Sequence, residues 1–169
     1  FSELAHAEAK VHNCRPEDVH FHEVGGIDSI IDIVGAAIGL DFLNIEKLTG
    51  SPLPMTNGWT DSHHGMIPIP APATCELLKN IPVYSLNLDQ ELVTPTGAAI
   101  LKTYCSEFGG MPTMTIKNVG YGAGSLIRKD GRPNLFRLIV GKTFEPDELQ
   151  KVEVIETHID DWSPEGYPY

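Results

Sequence analysis

The sequence predicts an α+β fold in which a mixed sheet packs on one long, buried, apolar helix. Apolar residues occupy nearly every position from residue 30 to residue 43, a pattern typical of a helix that is buried on most sides. Residues 135–141 (LFRLIVG) give the clearest strand pattern of the chain. With 41% hydrophobic and 21% charged residues, the composition is that of a globular protein.

The first half of the chain alternates helical and extended patterns. Apolar positions at helical spacing predict an amphipathic helix from about residue 4 to residue 13. Residues 19–24 have β-branched and aromatic side chains at alternate positions, which favours a short strand before a Gly-Gly break. Asp28-Ser29 is a good N-cap region for the long helix that follows, which we expect to reach Leu43.

The second half begins with a stretch rich in proline, residues 50–75, where only short extended pieces are expected. A short helix is predicted over residues 73–78 and a longer one from Pro95 to Phe108. Further strands are predicted over 113–119, 135–141 and 152–159.

Charge and cysteine content exclude several classes of protein. The net charge of −11 repels phosphate backbones, so nucleic acid is not an expected partner. No apolar run approaches the roughly 18 residues of a membrane-spanning helix. The three cysteines are widely spaced and form no C-x-x-C pair, which indicates reduced thiols in a cytoplasmic protein.

The charge is distributed unevenly, and this predicts the domain organisation. Residues 145–169 carry eight acidic side chains and one basic side chain, whereas residues 1–144 carry 15 acidic and 11 basic ones. We therefore expect one domain over residues 1–144 and the acidic beginning of a second over residues 145–169. The opening FSEL lies within a helical pattern and has no initiator methionine, which indicates an internal fragment of a longer protein.

A first group of polar residues surrounds the start of the long helix. His20 and His22 would point to one side of a strand, and Asp28 and Asp32 share a helix face because they are four residues apart. Together with Glu23, these imidazoles and carboxylates suit a divalent ion such as Mn, Fe, Co, Ni or Zn. The alternative is an N-capping Asp28, a solvent-facing Asp32 and histidines in an exposed turn, but burial of an unpaired Asp32 would be costly.

Two further motifs add candidate binding groups. His63 and His64 precede the proline-rich run 66–72, which would hold either imidazole at a fixed reach; an exposed loop is the alternative. In residues 91–99 (ELVTPTGAA) a strand leads into a helix start, where Thr94, Thr96 and Gly97 would bind an anion. Ordinary capping by Thr94 or Thr96 explains the same pattern.

Two common mechanisms are excluded. Residues 120–124 (GYGAG) precede a charged turn rather than a helix, so a dinucleotide site is not expected. No G-x-S-x-G motif occurs, and no cysteine lies in the sequence context of a nucleophile.

Four segments together resemble the nickel insertion protein family. They are residues 20–35 (HFHEVGGIDSIIDIVG), 64–74 (HGMIPIPAPAT), 91–100 (ELVTPTGAAI) and 156–165 (ETHIDDWSPE). They occur in the family's order and are spread from residue 20 to residue 165, over most of the length of the chain.

The resemblance implies a CTP-dependent nickel chelatase that loads nickel into pyridinium-3,5-bisthiocarboxylic acid mononucleotide. This step completes the nickel-pincer cofactor of lactate racemase, so lactate racemase or other cofactor-biosynthesis proteins are the implied partners. In the family, CTP and a divalent cation such as manganese belong to the C-terminal domain, whose start corresponds to residues 145–169 here. The isolated fragment is therefore expected to be inactive, and a homo-oligomer remains open.

The chemistry agrees with the candidate residues. A chelatase must release nickel to soft thiocarboxylate sulfurs, which imidazole and carboxylate ligands allow better than thiolates. The predicted metal ligands are His20, His22, Asp28, Asp32, His63 and His64. Forming a Ni–C bond also requires loss of a ring proton, for which His20, His22 or Glu23 would be the base. The alternative functions are a noncatalytic metal-binding or scaffold domain and a generic metal-dependent hydrolase.

Overall fold

The computed structural model describes residues 1–19, 21, 26–62 and 65–144. Within these ranges the helices are α1 (Ser2–His12), α2 (Ile27–Phe42), α3 (Pro72–Leu77) and α4 (Pro95–Tyr104). The strands are β1 (Leu48–Gly50), β2 (Leu53–Asn57), β3 (Trp59–Ser62), β4 (Gly65–Pro68), β5 (Val83–Asp89), β6 (Cys105–Phe108), β7 (Met114–Ala123) and β8 (Leu135–Thr143). The α+β class predicted from the sequence is confirmed.

The strands form four separate pairs rather than one mixed sheet. β1 pairs with β6 and β2 with β5 in parallel, while β3 with β4 and β7 with β8 are antiparallel. Both parallel pairs join strands that are far apart in sequence, so a helix lies between their partners, as parallel pairing requires. The parallel and antiparallel ladders expected of one sheet thus occur in different two-stranded sheets.

The core lies between α1, α3 and α4. Leu4 of α1 and Leu77 of α3 are almost fully buried, and both belong to one cluster with Ala98 and Ala99 of α4. Of the apolar positions whose spacing predicts α1, Leu4 and Ala7 are buried, whereas Val11 is 40% exposed. The left-handed conformation of Asn13, with φ 51°, ends this helix.

The long apolar helix occurs where the sequence predicts it, but its predicted burial is not confirmed. Ser29 is the one buried residue of α2, whereas Ile27 is 77% and Phe42 81% exposed. Because nearly every position of α2 is apolar, its pattern does not reveal which side faces the core. Among the described elements, α2 makes its main contact with α4.

Other boundaries differ from the prediction in instructive ways. The helix expected to reach Phe108 ends at Tyr104, because Cys105–Phe108 is extended and pairs with β1. The proline-rich stretch contains the short strands β2, β3 and β4 together with α3, and β5 was not predicted. Val19 lies in no strand; the rest of the predicted strand 19–24, apart from Phe21, lies outside the described residues.

Two predictions concern residues about which the structure gives no description. The strand at 152–159 and the second domain at 145–169 lie outside the described residues, so both stay predictions. None of the described helices is long and apolar enough to cross a membrane.

Candidate functional site

A cleft of about 650 Å³ lies where three parts of the chain meet. These parts are the first two turns of α2, the β3–β4 hairpin with the segment that follows it, and the connection from β5 into α4. Each of them belongs to one of the three segments that the sequence marks as polar motifs. The tertiary structure thus places the three motifs around one opening.

The first wall is the start of α2. Its N-cap, Gly26, is extended, and Asp28 lies in the first turn, where a carboxylate interacts favourably with the helix dipole. Asp28 and Asp32 both line the cleft, as expected for residues four apart on one helix face. Between them Ser29 is only 6% exposed and also lines the cleft.

The exposure of Asp32 corrects one argument from the sequence. The carboxylate was expected to be costly to bury, which favoured a functional role. Asp32 is exposed to solvent in the folded chain, so that argument does not apply. What marks this residue is its position on the wall of the cleft, four residues after Asp28.

The second wall is the β3–β4 hairpin. Thr60 pairs with Ile67, Asp61 with Met66 and Ser62 with Gly65, and the hydroxyl of Ser62 donates a 2.8 Å hydrogen bond to the carbonyl of Gly65. Thr60, Asp61, Ser62 and Ile67 all line the cleft. His63 and His64 form the connection between these strands but lie outside the described residues, so the structure does not test their predicted role.

The third wall is the connection from β5 to α4. Glu91, Thr94, Pro95 and Thr96 line the cleft here. Thr94 is the N-cap of α4, and its Oγ1 accepts a 3.3 Å hydrogen bond from the backbone N–H of Gly97. Its hydroxyl also lies 3.2 Å from the hydroxyl of Thr96. Capping, the alternative considered for this motif, therefore does occur at Thr94, and Thr94 and Thr96 also line the cleft.

The electrostatics of the cleft favour positively charged ligands. Four carboxyl groups line it, those of Asp28, Asp32, Asp61 and Glu91. Among the described residues of its wall there is no lysine, arginine or histidine. Four carboxylates with no cationic side chain among the described lining residues give the cleft a negative field, which attracts cations.

Comparison with known proteins agrees with the motifs around this cleft. The sequence pattern that defines the family described as "Nickel insertion protein" matches residues 1–169. The chain belongs to the nickel insertion protein family. No solved structure matches it.

Two curated relatives illustrate the similarity. The pyridinium-3,5-bisthiocarboxylic acid mononucleotide nickel insertion protein of Acetivibrio thermocellus is 51% identical over 172 residues, which cover 100% of this chain and 42% of the relative. The protein of the same name from Desulfitobacterium hafniense is 46% identical over 175 residues, covering 100% and 43%. The chain thus spans less than half the length of the curated relatives that it matches.

The described carboxylates do not form a complete metal site by themselves. Within residues 1–19, 21, 26–62 and 65–144, no three His, Cys, Asp or Glu side chains are close enough to hold a metal ion. The predicted ligands that would complete such a site are His20, His22, His63 and His64, and all lie outside those ranges, as does the candidate base Glu23. Their assignment to this member of the family stays a prediction.

Sequence reasoning missed several residues of the cleft. Ser29 and Thr60 have no distinctive sequence signal, because a serine in a first helical turn and a threonine in a strand are common. Asp61 and Glu91 did carry a signal, since each lies within a segment that resembles the family or adjoins one. Gly97 was predicted to bind the ligand, but it does not line the cleft and its N–H is bonded to Thr94.

Proposed function

We propose that this chain is part of a CTP-dependent nickel insertion enzyme, and that the cleft holds nickel and the mononucleotide into which nickel is inserted. The acceptor is pyridinium-3,5-bisthiocarboxylic acid mononucleotide, and the product is the nickel-pincer cofactor of lactate racemase. The observation that carries the proposal is the meeting of three family-like motifs at one acidic cleft.

The acidic lining supports a role in holding nickel as substrate. The lining supplies carboxylate oxygen donors, which bind nickel less tightly than thiolates would. They belong to Asp28, Asp32, Asp61 and Glu91. The predicted histidine ligands would add borderline nitrogen donors. Such a mixed set allows nickel to pass to the softer sulfur atoms of the mononucleotide, whereas a cysteine cluster would compete for it.

The start of α4 supports a role in holding the phosphate of the mononucleotide. A helix N-terminus carries partial positive charge, and Thr94 and Thr96 add two hydroxyls beside it. The phosphate and thiocarboxylate groups are negative, like the four carboxylates. Nickel between the two sets of anions would offset this repulsion, so nickel and mononucleotide are expected to strengthen each other's binding.

The remaining steps are assigned from the resemblance and the candidate residues. His20, His22 or Glu23 would accept the ring proton that leaves when the Ni–C bond forms. CTP and a divalent cation such as manganese would act in the family's C-terminal domain, which residues 145–169 begin. Insertion activity therefore requires the longer protein, while nickel binding is expected of the chain itself.

Nickel binding by the chain, measured by isothermal titration calorimetry, tests the assignment of the acidic wall. The variant Asp28→Asn/Asp32→Asn should weaken Ni²⁺ binding roughly 10- to 100-fold, the loss typical when groups that support a metal are removed. Its matched control is Asp41→Asn/Glu46→Gln, which removes two exposed carboxylates outside the cleft, one near the end of α2 and one just after it. Equal affinities of the two double variants would refute the assignment.

The variant His20→Ala/His22→Ala tests the histidine ligands. We expect it to abolish Ni²⁺ binding by the chain and nickel insertion by the full-length protein, with the thermal midpoint nearly unchanged. Unaltered nickel affinity would contradict the ligand role. A large fall in the thermal midpoint would instead assign the two histidines to folding.

A further inference from the structure

The loop that joins β7 to β8 is bonded to the segment that carries the third wall of the cleft. Gln90 Nε2 donates a 2.8 Å hydrogen bond to the carbonyl of Ile127, and the backbone N–H of Lys129 donates a 2.6 Å hydrogen bond to Gln90 Oε1. Both ends of the Gln90 amide are thus used by one loop. Gln90 immediately precedes Glu91, whose side chain lines the cleft.

Lys129 makes a second connection to the same segment. Its Nζ donates to the carbonyl of Asp89 at 2.8 Å and to Asp89 Oδ2 at 3.1 Å. Single exposed ion pairs contribute little to stability. Here, however, one lysine contacts both the backbone and the side chain of Asp89 while its own N–H holds Gln90. The three bonds therefore fix the position of Asp89 and Gln90 but contribute little to the free energy of folding.

Asp89 also contacts the base of the hairpin that forms the second wall. Gly58, which immediately precedes β3, has φ +119°, and a Cβ there would collide with the Asp89 carboxylate. The carbonyl of Gly58 accepts a 2.9 Å hydrogen bond from the N–H of Ile69, which closes the hairpin base. The pair Asp89–Gln90 therefore touches the hairpin wall on one side and the β7–β8 loop on the other.

The loop itself is held in shape by its own side chains. Arg128 Nε donates to Asp130 Oδ1 at 2.9 Å, and its Nη2 donates to the other carboxylate oxygen. The N–H of Arg132 donates to Asp130 Oδ1 at 3.2 Å. A loop ordered in this way can hold Gln90 in place, because little of its own freedom remains to be lost.

We propose that Gln90 and Lys129 are positioning residues, which set the location of Glu91 and the start of α4 relative to the β3–β4 hairpin. The proposal rests on the proposed function, since it concerns the geometry of that same cleft. Neither residue lines the cleft, so neither is expected to touch the ligand. Sites of this kind depend on ligand positions held within about 0.5 Å, which explains why a support outside the cleft matters.

The variants Gln90→Met and Lys129→Met test the proposal. Methionine is similar in length to both side chains. Gln90→Met removes both hydrogen bonds of the Gln90 amide, whereas Lys129→Met removes the two bonds of Nζ and keeps the backbone N–H that donates to Gln90. Amide hydrogen exchange over residues 91–97 should become faster in both variants, while the midpoint of urea unfolding stays close to that of the unchanged chain. The Ni²⁺ dissociation constant, measured by calorimetry, should rise by roughly 2- to 30-fold, the range found when coupling to a site is altered.

Two control variants make the result specific. Lys117→Met removes an exposed lysine of β7, in the same hairpin, and should leave exchange and nickel affinity unchanged. Lys129→Arg keeps a cationic donor for Asp89 and should restore most of the affinity lost in Lys129→Met.

The outcomes separate this proposal from the proposed function. Unchanged exchange over residues 91–97 and unchanged nickel affinity in both methionine variants would overturn the positioning role. Faster exchange in a chain whose unchanged form binds no Ni²⁺ would support the positioning role and contradict the proposed function. Both methionine variants could instead show a lower unfolding midpoint that accounts for the faster exchange. That result would overturn the positioning role and assign both residues to general stability.

Discussion

Helices α2 and α4 are both largely apolar, yet their surroundings differ. α4 places Ala98 and Ala99 in the core, where Ala98 is fully buried. α2 contributes Ile33 to the edge of that core and leaves most of its isoleucines in contact with solvent. Apolar composition favours burial, but burial also requires a surface to pack against, and only α4 has one on several sides.

The exposed apolar residues of α2 lie together on one side of the helix. At 100° per residue, Ser29, Ile33 and Leu40 lie on one side of the helix, which is the less exposed side. The exposed apolar residues on the opposite side are Ile27, Ile31, Val34, Ile38 and Phe42. Both faces of α2 therefore carry apolar residues, and the described part of the chain covers one of them.

The largest expected effect is a difference in stability loss between a substitution in the core beside α4 and one on the exposed side of α2. Leu77 is 1% exposed and packs beside α4. Leu77→Ala should lower the free energy of unfolding by about 2–5 kcal/mol, because removal of the buried side chain leaves a cavity. Ile38 of α2 is 62% exposed, and Ile38→Ala should change stability by no more than about 0.5 kcal/mol. Urea unfolding measures both. Similar losses would show that α2 is as well packed as the core.

A smaller effect is expected from the different N-caps of the two helices. Thr94 caps α4 through its side chain, whereas the cap residue of α2, Gly26, has no side chain to do so. Thr94→Ala should lower the free energy of unfolding by about 1 kcal/mol, since it removes the acceptor for the Gly97 N–H. Thr94→Ser keeps that oxygen and should be close to the unchanged chain in the same urea experiment. If Thr94→Ala were as stable as Thr94→Ser, the capping hydrogen bond would contribute nothing to stability.

The smallest expected effect lies on the polar surface, in the β7–β8 loop. Hydrogen bonds from Arg128 lower the pKa of Asp130 from 3.8 to about 2. Because the folded-state pKa is the lower one, the pair favours folding above pH 3.8, and this contribution is lost as the pH falls toward 2. A carboxyl NMR titration should show this low midpoint, and Arg128→Gln should move it back toward 3.8. An unchanged midpoint in the variant would exclude Arg128 as the cause.

Local sequence signals were sufficient for much of the fold and for one wall of the cleft. The end of α2 was predicted to within one residue, and the strand pattern at 135–141 lies within β8. The N-cap prediction was wrong, because the cap is Gly26 and both Asp28 and Ser29 lie inside the helix. The shared face of Asp28 and Asp32 also followed from spacing alone, because helix geometry places residues four apart on one side. Each of these features depends on neighbours in sequence.

Features that depend on distant partners were missed. Cys105–Phe108 continues a helical pattern in the sequence but forms a strand, since its partner β1 lies more than 50 residues earlier. β5 was likewise missed, and its partner β2 is also remote in sequence. Pairing with a remote strand overrides local propensity, which no short window of sequence can reveal.

The sequence by itself determined the α+β class, the main helices, the family and the shared helix face of Asp28 and Asp32. Only the tertiary structure decided that Asp61 and Glu91 share a cleft with Asp28 and Asp32, and that Gln90 and Lys129 support it from outside. It also decided which face of α2 is covered. The physical reason is the same in each case: spacing along the chain sets which side chains share an element, whereas packing between elements sets which of them meet.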